Sequence, residues 1–324
     1  SIYDISENSL IKKFQGVLAS HCFLNEYLYT INSKERDAIN SLERNVFKKL
    51  KSGQQPNPSE ILCLASFKAL YDYEWHELLL NNSEINTIFE TQIVEKQIED
   101  KLKLSIKKLT EISDKTSLAV QEQYEENPYP RWKYLQKSIK SKTLDELCKE
   151  LNLKIFDENI KKIKNPKILI AGCGTGQQSI EASIRYKNCD MVAIDISSNS
   201  LAYAKRKSEE FGFNNIRYMQ ADILDLKKID LKFDLIHCSG VLHHMDKPLM
   251  GLKVLCDILN PNGLIKLGYY SELARKNIVR IRNEIKKSGI TSDRESIIKF
   301  RDYIIQSEEK HHMEVLKYAD FYSV

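Results

Sequence analysis

One run constrains the fold of this chain more than any other: Ile168-Leu169-Ile170-Ala171-Gly172-Cys173-Gly174-Thr175-Gly176. A short apolar stretch of strand character leads straight into Gly-x-Gly-x-Gly, and a helical pattern follows from Gln177. Glycine lets a backbone approach a ligand where any Cβ would collide. Further strand-like runs lie at 191–194, 216–219, 233–238 and 264–268. Helical stretches at 198–211 and 249–259 separate them, and Pro261-Asn262-Gly263 makes a turn. Strands alternating with helices at this spacing predict a parallel α/β sheet with helices on both faces.

The rest reads as helix. From Ile5 to about Ala119 one helical segment follows another. Leu10, Phe14, Val17, Leu18 and Cys22 recur at helical spacing. Residues 35–51 are a second segment, ended by the breaker Ser52-Gly53-Gln54-Gln55-Pro56-Asn57-Pro58. A third spans 59–80, with Ile61, Leu62, Ala65, Leu70 and Trp75 apolar, and a fourth spans 83–112 with a break or bend inside. No 34-residue self-similarity is present, so a tetratricopeptide array is not expected here. Gln121 to Trp132 is a stiff connector whose two prolines push the residues before them to extended conformations. Thr143 and Glu146 predict a capping box opening a short helix. Helices return at 271–287 and 294–306. The expected organisation is a helical region over 1–120, a connector or lid over 121–150, an α/β core over 151–270 and a helical segment over 271–324.

Composition narrows the classes. The 324 residues are 42% hydrophobic and 29% charged. No run approaches the roughly 18 apolar residues of a membrane helix, so no membrane insertion is expected. Residues 1–150 carry a net charge of −2 and residues 151–324 a net +6, without the dense basic stripe of a nucleic-acid binder. Lys107-Lys108 and Lys286-Lys287 read as solvated helix faces. The 7 cysteines are scattered, odd in number and never spaced C-x-x-C, which fits reduced thiols in a cytoplasmic protein. His243-His244 and His311-His312 lack partners at ligand spacing, so no metal is expected. The second pair is read onto an exposed helix, and His237 reads as a core histidine.

Asp195 closes the second strand, 19 residues past Gly176. An acid there accepts hydrogen bonds from both ribose hydroxyls in nucleotide-binding α/β folds. The dinucleotide fingerprint needs Gly-x-Gly-x-x-Gly, but Gln stands at 177. The tighter Gly-x-Gly-x-Gly resembles motif I of class I S-adenosylmethionine-dependent methyltransferases. That resemblance implies a Rossmann-like sheet with S-adenosyl-L-methionine held by Gly172, Cys173, Gly174 and Gly176, by Asp195 and Ile196, by Asp222 and Ile223 beside the adenine, and by Ser239, Gly240, Val241 and His243. It also makes the connector a lid. Tyr124, Pro128, Arg131 and Trp132 are its cofactor-side candidates, Arg131 reaching for the methionine carboxylate.

A closer resemblance rests on Gln123 to Trp132, the glycine loop, Gly240-Val241-Leu242-His243-His244-Met245 and Gly268-Tyr269-Tyr270-Ser271-Glu272-Leu273-Ala274-Arg275. Together these look like a bacterial methyltransferase family, some members of which carry tetratricopeptide repeats. They are also similar to rickettsial protein-lysine methyltransferases that modify outer membrane protein B. The resemblance implies lysine N-methylation of a large surface protein, with Tyr129, Tyr269, Tyr270 and Glu272 as candidates for the lysine slot. Glu272 is expected to open a helix. A small-molecule methyltransferase whose helices form a lid or a homodimer interface is the alternative, and a non-catalytic module retaining the fold is a third. A class I sheet usually closes with an antiparallel hairpin, which this sequence does not clearly contain. With the apolar ending Phe321-Tyr322-Ser323-Val324 and no initial Met, a fragment of a longer enzyme is expected.

Overall fold

The computed structural model describes residues 9–135, 140–228, 230–291 and 293–322. Ile5, Ser323 and Val324 lie outside the described residues. Contacts divide the chain into two units: residues 1–97 with 271–324, and residues 98–270.

The first unit is helical. It contains α1 (Ser9–Leu24), α2 (Ser33–Lys51), α3 (Pro58–Ala65) and α4 (Asn86–Phe89), which runs through a π turn at Glu90–Val94 into α5 (Glu95–Lys103), a helix that begins in this unit and continues into the second from Ile98. Capping boxes start α2 at Asn32 and Glu35 and α3 at Asn57 and Glu60. The core gathers Leu42, Val46, Leu62, Leu70, Trp75 and Ile88. The third helix stops at Ala65 rather than running to Leu80, and 3-10 turns at Leu70–Asp72 and His76–Leu78 carry Leu70 and Trp75 inward. Gln92 supports this break: its amide accepts from the Leu70 N–H (3.0 Å) and donates to the Ala65 carbonyl (3.4 Å). In α1 the helical spacing is right but the buried face is not the one with the largest residues. Ala19, Cys22 and Phe23 are buried, while Leu10, Phe14 and Val17 are exposed.

The second unit is built on a six-stranded sheet. Its strands are β1 (Lys107–Lys108), β2 (Lys167–Ala171), β3 (Asp190–Asp195), β4 (Ile216–Gln220), β5 (Phe233–Ser239) and β6 (Leu259–Gly268), in the order β1-β4-β3-β2-β5-β6. Every pairing is parallel. Helices α6 (Lys115–Glu126), α7 (Leu144–Glu150), α8 (Gln177–Arg185), α9 (Ser198–Glu210) and α10 (Pro248–Asp257) accompany it. Alternation along the strands serves both faces. Ile168, Ile170, Met191 and Ala193 fill one core, and Leu169, Ala171, Val192 and Ile194 the other. Lys107-Lys108 is therefore a sheet edge paired with Met219 and Gln220, not a helix face. Thr143 and Glu146 cap α7 as expected.

The chain then returns to the first unit through α11 (Lys276–Ser288), α12 (Arg294–Gln306) and α13 (Lys310–Val315). The helix after Tyr270 begins at Lys276, so Glu272 lies in the turn before it rather than opening it. No helix among the described residues is long and apolar enough to cross a membrane.

Candidate functional site

The chain order of the sheet reverses between β2 and β5, and a parallel sheet opens a crevice at the carboxyl ends of its strands at such a switch point. A cavity of about 390 Å³ lies there, bordered by residues after β2, β3, β4 and β5 and by α6 with the connector.

The glycine loop forms its floor. Gly172 and Gly174 have φ of +73° and +51°, and both line the cavity with Cys173. A Cβ on Gly172 would stand 2.3 Å from a Val241 methyl, and one on Gly174 would stand 3.2 Å from the Tyr129 carbonyl oxygen. These glycines thus admit the loop after β5 and the connector. Gly176 is different. It does not line the cavity, and its missing Cβ makes room for Ala204 of α9. The thiol of Cys173 is buried, which pushes its pKa well up and leaves it neutral.

Asp195 ends β3 and reaches back to the loop. Its carboxylate accepts from the Gly174 N–H (2.8 Å) and the Ser197 N–H (3.0 Å). Burial pushes the carboxyl above its usual range, and those N–H groups pull it back. Ile196 follows on the wall. After β4, Asp222 is buried, accepts the Leu224 N–H (2.9 Å) and borders the cavity with Ile223. Ser239 closes β5 and Gly240 and Val241 follow it, the Gly240 N–H donating to the Gly268 carbonyl (3.0 Å).

The remaining wall is held by hydrogen bonds between distant segments. Glu125, near the end of α6, accepts from the Ser198 N–H (2.5 Å) and hydroxyl (2.7 Å) and from the Asn199 N–H (3.2 Å). It thereby caps the first turn of α9, where a negative charge is favoured. The Ser197 hydroxyl donates to the Tyr124 carbonyl (2.9 Å). The connector is pinned in the same way: the Trp132 indole donates to the Thr175 carbonyl (3.1 Å), and the Thr175 hydroxyl donates to the Pro130 carbonyl (2.6 Å). Trp132 also stacks on Phe211.

Thirteen of the residues expected at the site border this cavity: Tyr124, Tyr129, Gly172, Cys173, Gly174, Asp195, Ile196, Asp222, Ile223, Ser239, Gly240, Val241 and Tyr270. The others stand elsewhere. Pro128 is buried, Arg131 is half-buried next to the cavity-lining Pro130, and Trp132 packs into the core as the pin of the connector. Tyr269 and Glu272 are exposed outside the lining. His243 contributes through its ring, 4.2 Å from that of His244 and 4.6 Å from that of Tyr270. It is His244 that faces the cavity, with Tyr124 edge-on to it. Sequence reasoning also missed Ser117 and Val120 on the wall. Their signal was only their place on α6, three or four residues and one turn further before Tyr124.

Two histidine readings resolve differently. His237 is a core residue whose Nε2 meets the Tyr186 hydroxyl at 2.9 Å. His311 and His312 are not exposed; both are buried against Glu284 of α11.

The six-stranded parallel sheet with its flanking helices is the Rossmann-like fold of class I methyltransferases. Residues 162–319 match the family model described as Methyltransferase domain. The cofactor of that class is S-adenosyl-L-methionine, and the cavity suits it: three carboxyl-end acidic or hydroxyl side chains, Asp195, Asp222 and Ser239, face a largely apolar crevice. The chain is 34% identical over 125 residues to an uncharacterised protein of Synechococcus sp., covering 38% of this chain and 30% of that one. It is 30% identical over 148 residues to an uncharacterised protein of Rickettsia prowazekii, covering 45% of this chain and 56% of that one. The chain thus spans about a third to a half of the length of these relatives. Among solved structures, PKMT2 from Rickettsia typhi is similar with a TM-score of 0.42 at 21% identity, covering 59% of this chain and 39% of that one.

Proposed function

We propose that this chain is an S-adenosylmethionine-dependent methyltransferase acting on lysine side chains of a protein, of the bacterial outer-membrane or surface class. The observation that carries the reading is the convergence of Gly172, Asp195, Asp222 and Ser239 from four successive strands on one cavity. When bound, the cofactor supplies an electrophilic methyl group on a sulfonium. Asp195 accepts from the ribose hydroxyls, adding two donors to a carboxylate whose burial now costs it. Asp222 accepts from the adenine amino group and the Ile223 N–H donates to the ring. Gly174 and Gly240 border the methionine portion.

The lysine reading rests on the motif resemblance together with the aromatic side of the cavity. A lysine amine has a pKa near 10.4, so presenting it neutral at pH 7 costs about 4.6 kcal/mol. An apolar, aromatic slot lowers that cost by disfavouring the ammonium. Tyr129 and Tyr270 line the cavity and are the candidates for that slot. Tyr124 is a hydrogen-bond donor rather than a base, because burial, then Asp195, raises its pKa. Tyr269 is likewise raised by burial and stays protonated.

The test is incubation with labelled S-adenosylmethionine and candidate surface proteins, followed by mass spectrometry. Methyl groups on lysine side chains are expected. Label found only in small molecules overturns the protein substrate, and absence of cofactor binding by calorimetry overturns the whole reading.

A further inference from the structure

The two histidines of α13 turn inward onto one carboxylate. His311 and His312 are 4% and 1% exposed. His311 Nε2 stands 2.6 Å from Glu284 Oε1, and His312 Nε2 stands 2.8 Å from Glu284 Oε2. One ligand atom from each of the three residues falls within 4.8 Å of the others. Successive residues of a helix point about 100° apart. Two adjacent rings 4.0 Å apart on a single group are therefore an arrangement that the surroundings impose.

The far ring nitrogens are arranged for the same purpose. His312 Nδ1 lies 2.7 Å from the Ser307 hydroxyl, which both donates and accepts. His311 Nδ1 is buried without a hydrogen-bond partner among the described residues, and Glu309 Oε2 is 3.8 Å away. A histidine that ligates a metal donates its other N–H to an oxygen of this kind. The charges also favour a cation. Glu284 and Glu309 bring two negative charges, and Arg280 brings one positive charge at 3.5 Å from Glu284 and 3.9 Å from Glu309. Arg280 has its side chain 62% exposed, so it can swing away into solvent.

We propose that Glu284, His311 and His312 form a binding site for a divalent first-row transition ion, with zinc as the reference ligand. Two imidazoles and one carboxylate are the donor set that zinc and its neighbours accept. Around tetrahedral zinc with bonds of ~2.0–2.1 Å, ligand atoms stand roughly 3.3 Å apart. The present N–O pairs open by about half an ångström as the ion replaces the shared protons. Each neutral imidazole then carries its proton on Nδ1, facing Ser307 for His312 and Glu309 for His311. The fourth position is left to water, entering past the half-exposed Glu284. The ion ties α11 to α13 within the helical unit.

Calorimetry of chelator-treated full chain with zinc at neutral pH tests this. One ion per chain and a raised thermal midpoint are expected. Glu284→Gln and His312→Ala each weaken binding by about tenfold or more, with unchanged circular dichroism. Cobalt, used as a spectroscopic probe, is expected to bind without a thiolate charge-transfer band. Absence of saturable zinc binding overturns the proposal, as does binding undiminished in both variants or a thiolate band that assigns the ion to cysteine. If His312→Ala fails to fold, Glu284→Gln carries the test, because it keeps the side-chain shape.

Discussion

Gly176 and Ala204 are packed so closely that a Cβ on the glycine would lie 2.5 Å from the alanine Cβ. The last glycine of the strand–loop–helix motif thus serves the seating of α8 on α9. Its φ of +83° adds a second reason for glycine, since L side chains rarely adopt that conformation.

Gly176→Ala is therefore expected to destabilise the chain by about 1–3 kcal/mol through overpacking and backbone strain. Its folded fraction keeps cofactor affinity within about twofold. Urea denaturation beside calorimetry at low temperature separates the two effects. A variant of full stability that no longer binds cofactor would return this glycine to the ligand.

On the proposed reading, Asp195→Asn would remove the charge that strengthens two hydrogen bonds to the ribose, each worth about 1.5–3 kcal/mol. Binding is expected to weaken about a hundredfold with the circular dichroism spectrum unchanged. Titration calorimetry reads this directly. Unaltered affinity would refute the role given to Asp195.

Glu125 couples helix capping to the site. Glu125→Ala leaves the Ser197 cap of α9 in place but removes the acceptor of the Ser198 and Asn199 N–H groups, and is expected to cost about 1–2 kcal/mol. Because α6 brings Ser117, Val120 and Tyr124 to the cavity, the cofactor Kd should rise several-fold as well. Thermal melts with and without cofactor measure both consequences, and a loss of stability with no change in Kd would uncouple them.

Acid sensitivity should come in part from His237. Burial, then Lys266 and Arg185, lowers its pKa to about 4 from the ordinary imidazole value of about 6.5. The unfolded chain therefore binds a proton more readily between those values. Stability from this group is full above pH 6.5 and declines as pH falls toward 4, by about 3 kcal/mol in all. His237→Gln is expected to flatten that part of a stability-against-pH curve. An unchanged slope in the variant would place the acid sensitivity in other groups.

The central strands were readable because burial on both faces leaves continuous apolar runs bounded by turn residues. Asp195 and Asp222 were readable because each sits at a fixed place after its strand. The edge strand Lys107–Lys108 carries no such mark: it is two exposed lysines paired in parallel with Met219 and Gln220. The break after Ala65 depends on Gln92, 27 residues later, receiving the freed backbone groups. The burial of His311 and His312 likewise depends on Glu284, which no local spacing reveals. Trp132 looked like a ligand contact because an aromatic beside prolines is ambiguous until its neighbour, the Thr175 carbonyl, is known.

The sheet unit is an insertion in the chain of the helical unit. Arg294 Nη2 donates to the carbonyls of Glu26 and Tyr27 at 2.8 and 3.0 Å, at sequence separations of 268 and 267. On a ribosome adding roughly 5–20 residues per second, the N-terminal helices wait from about a quarter of a minute to a minute before that partner is made. The sheet, contiguous in sequence, has all its strands available earlier. Synthesis thus imposes an order of assembly in which the first helices made are the last to be completed.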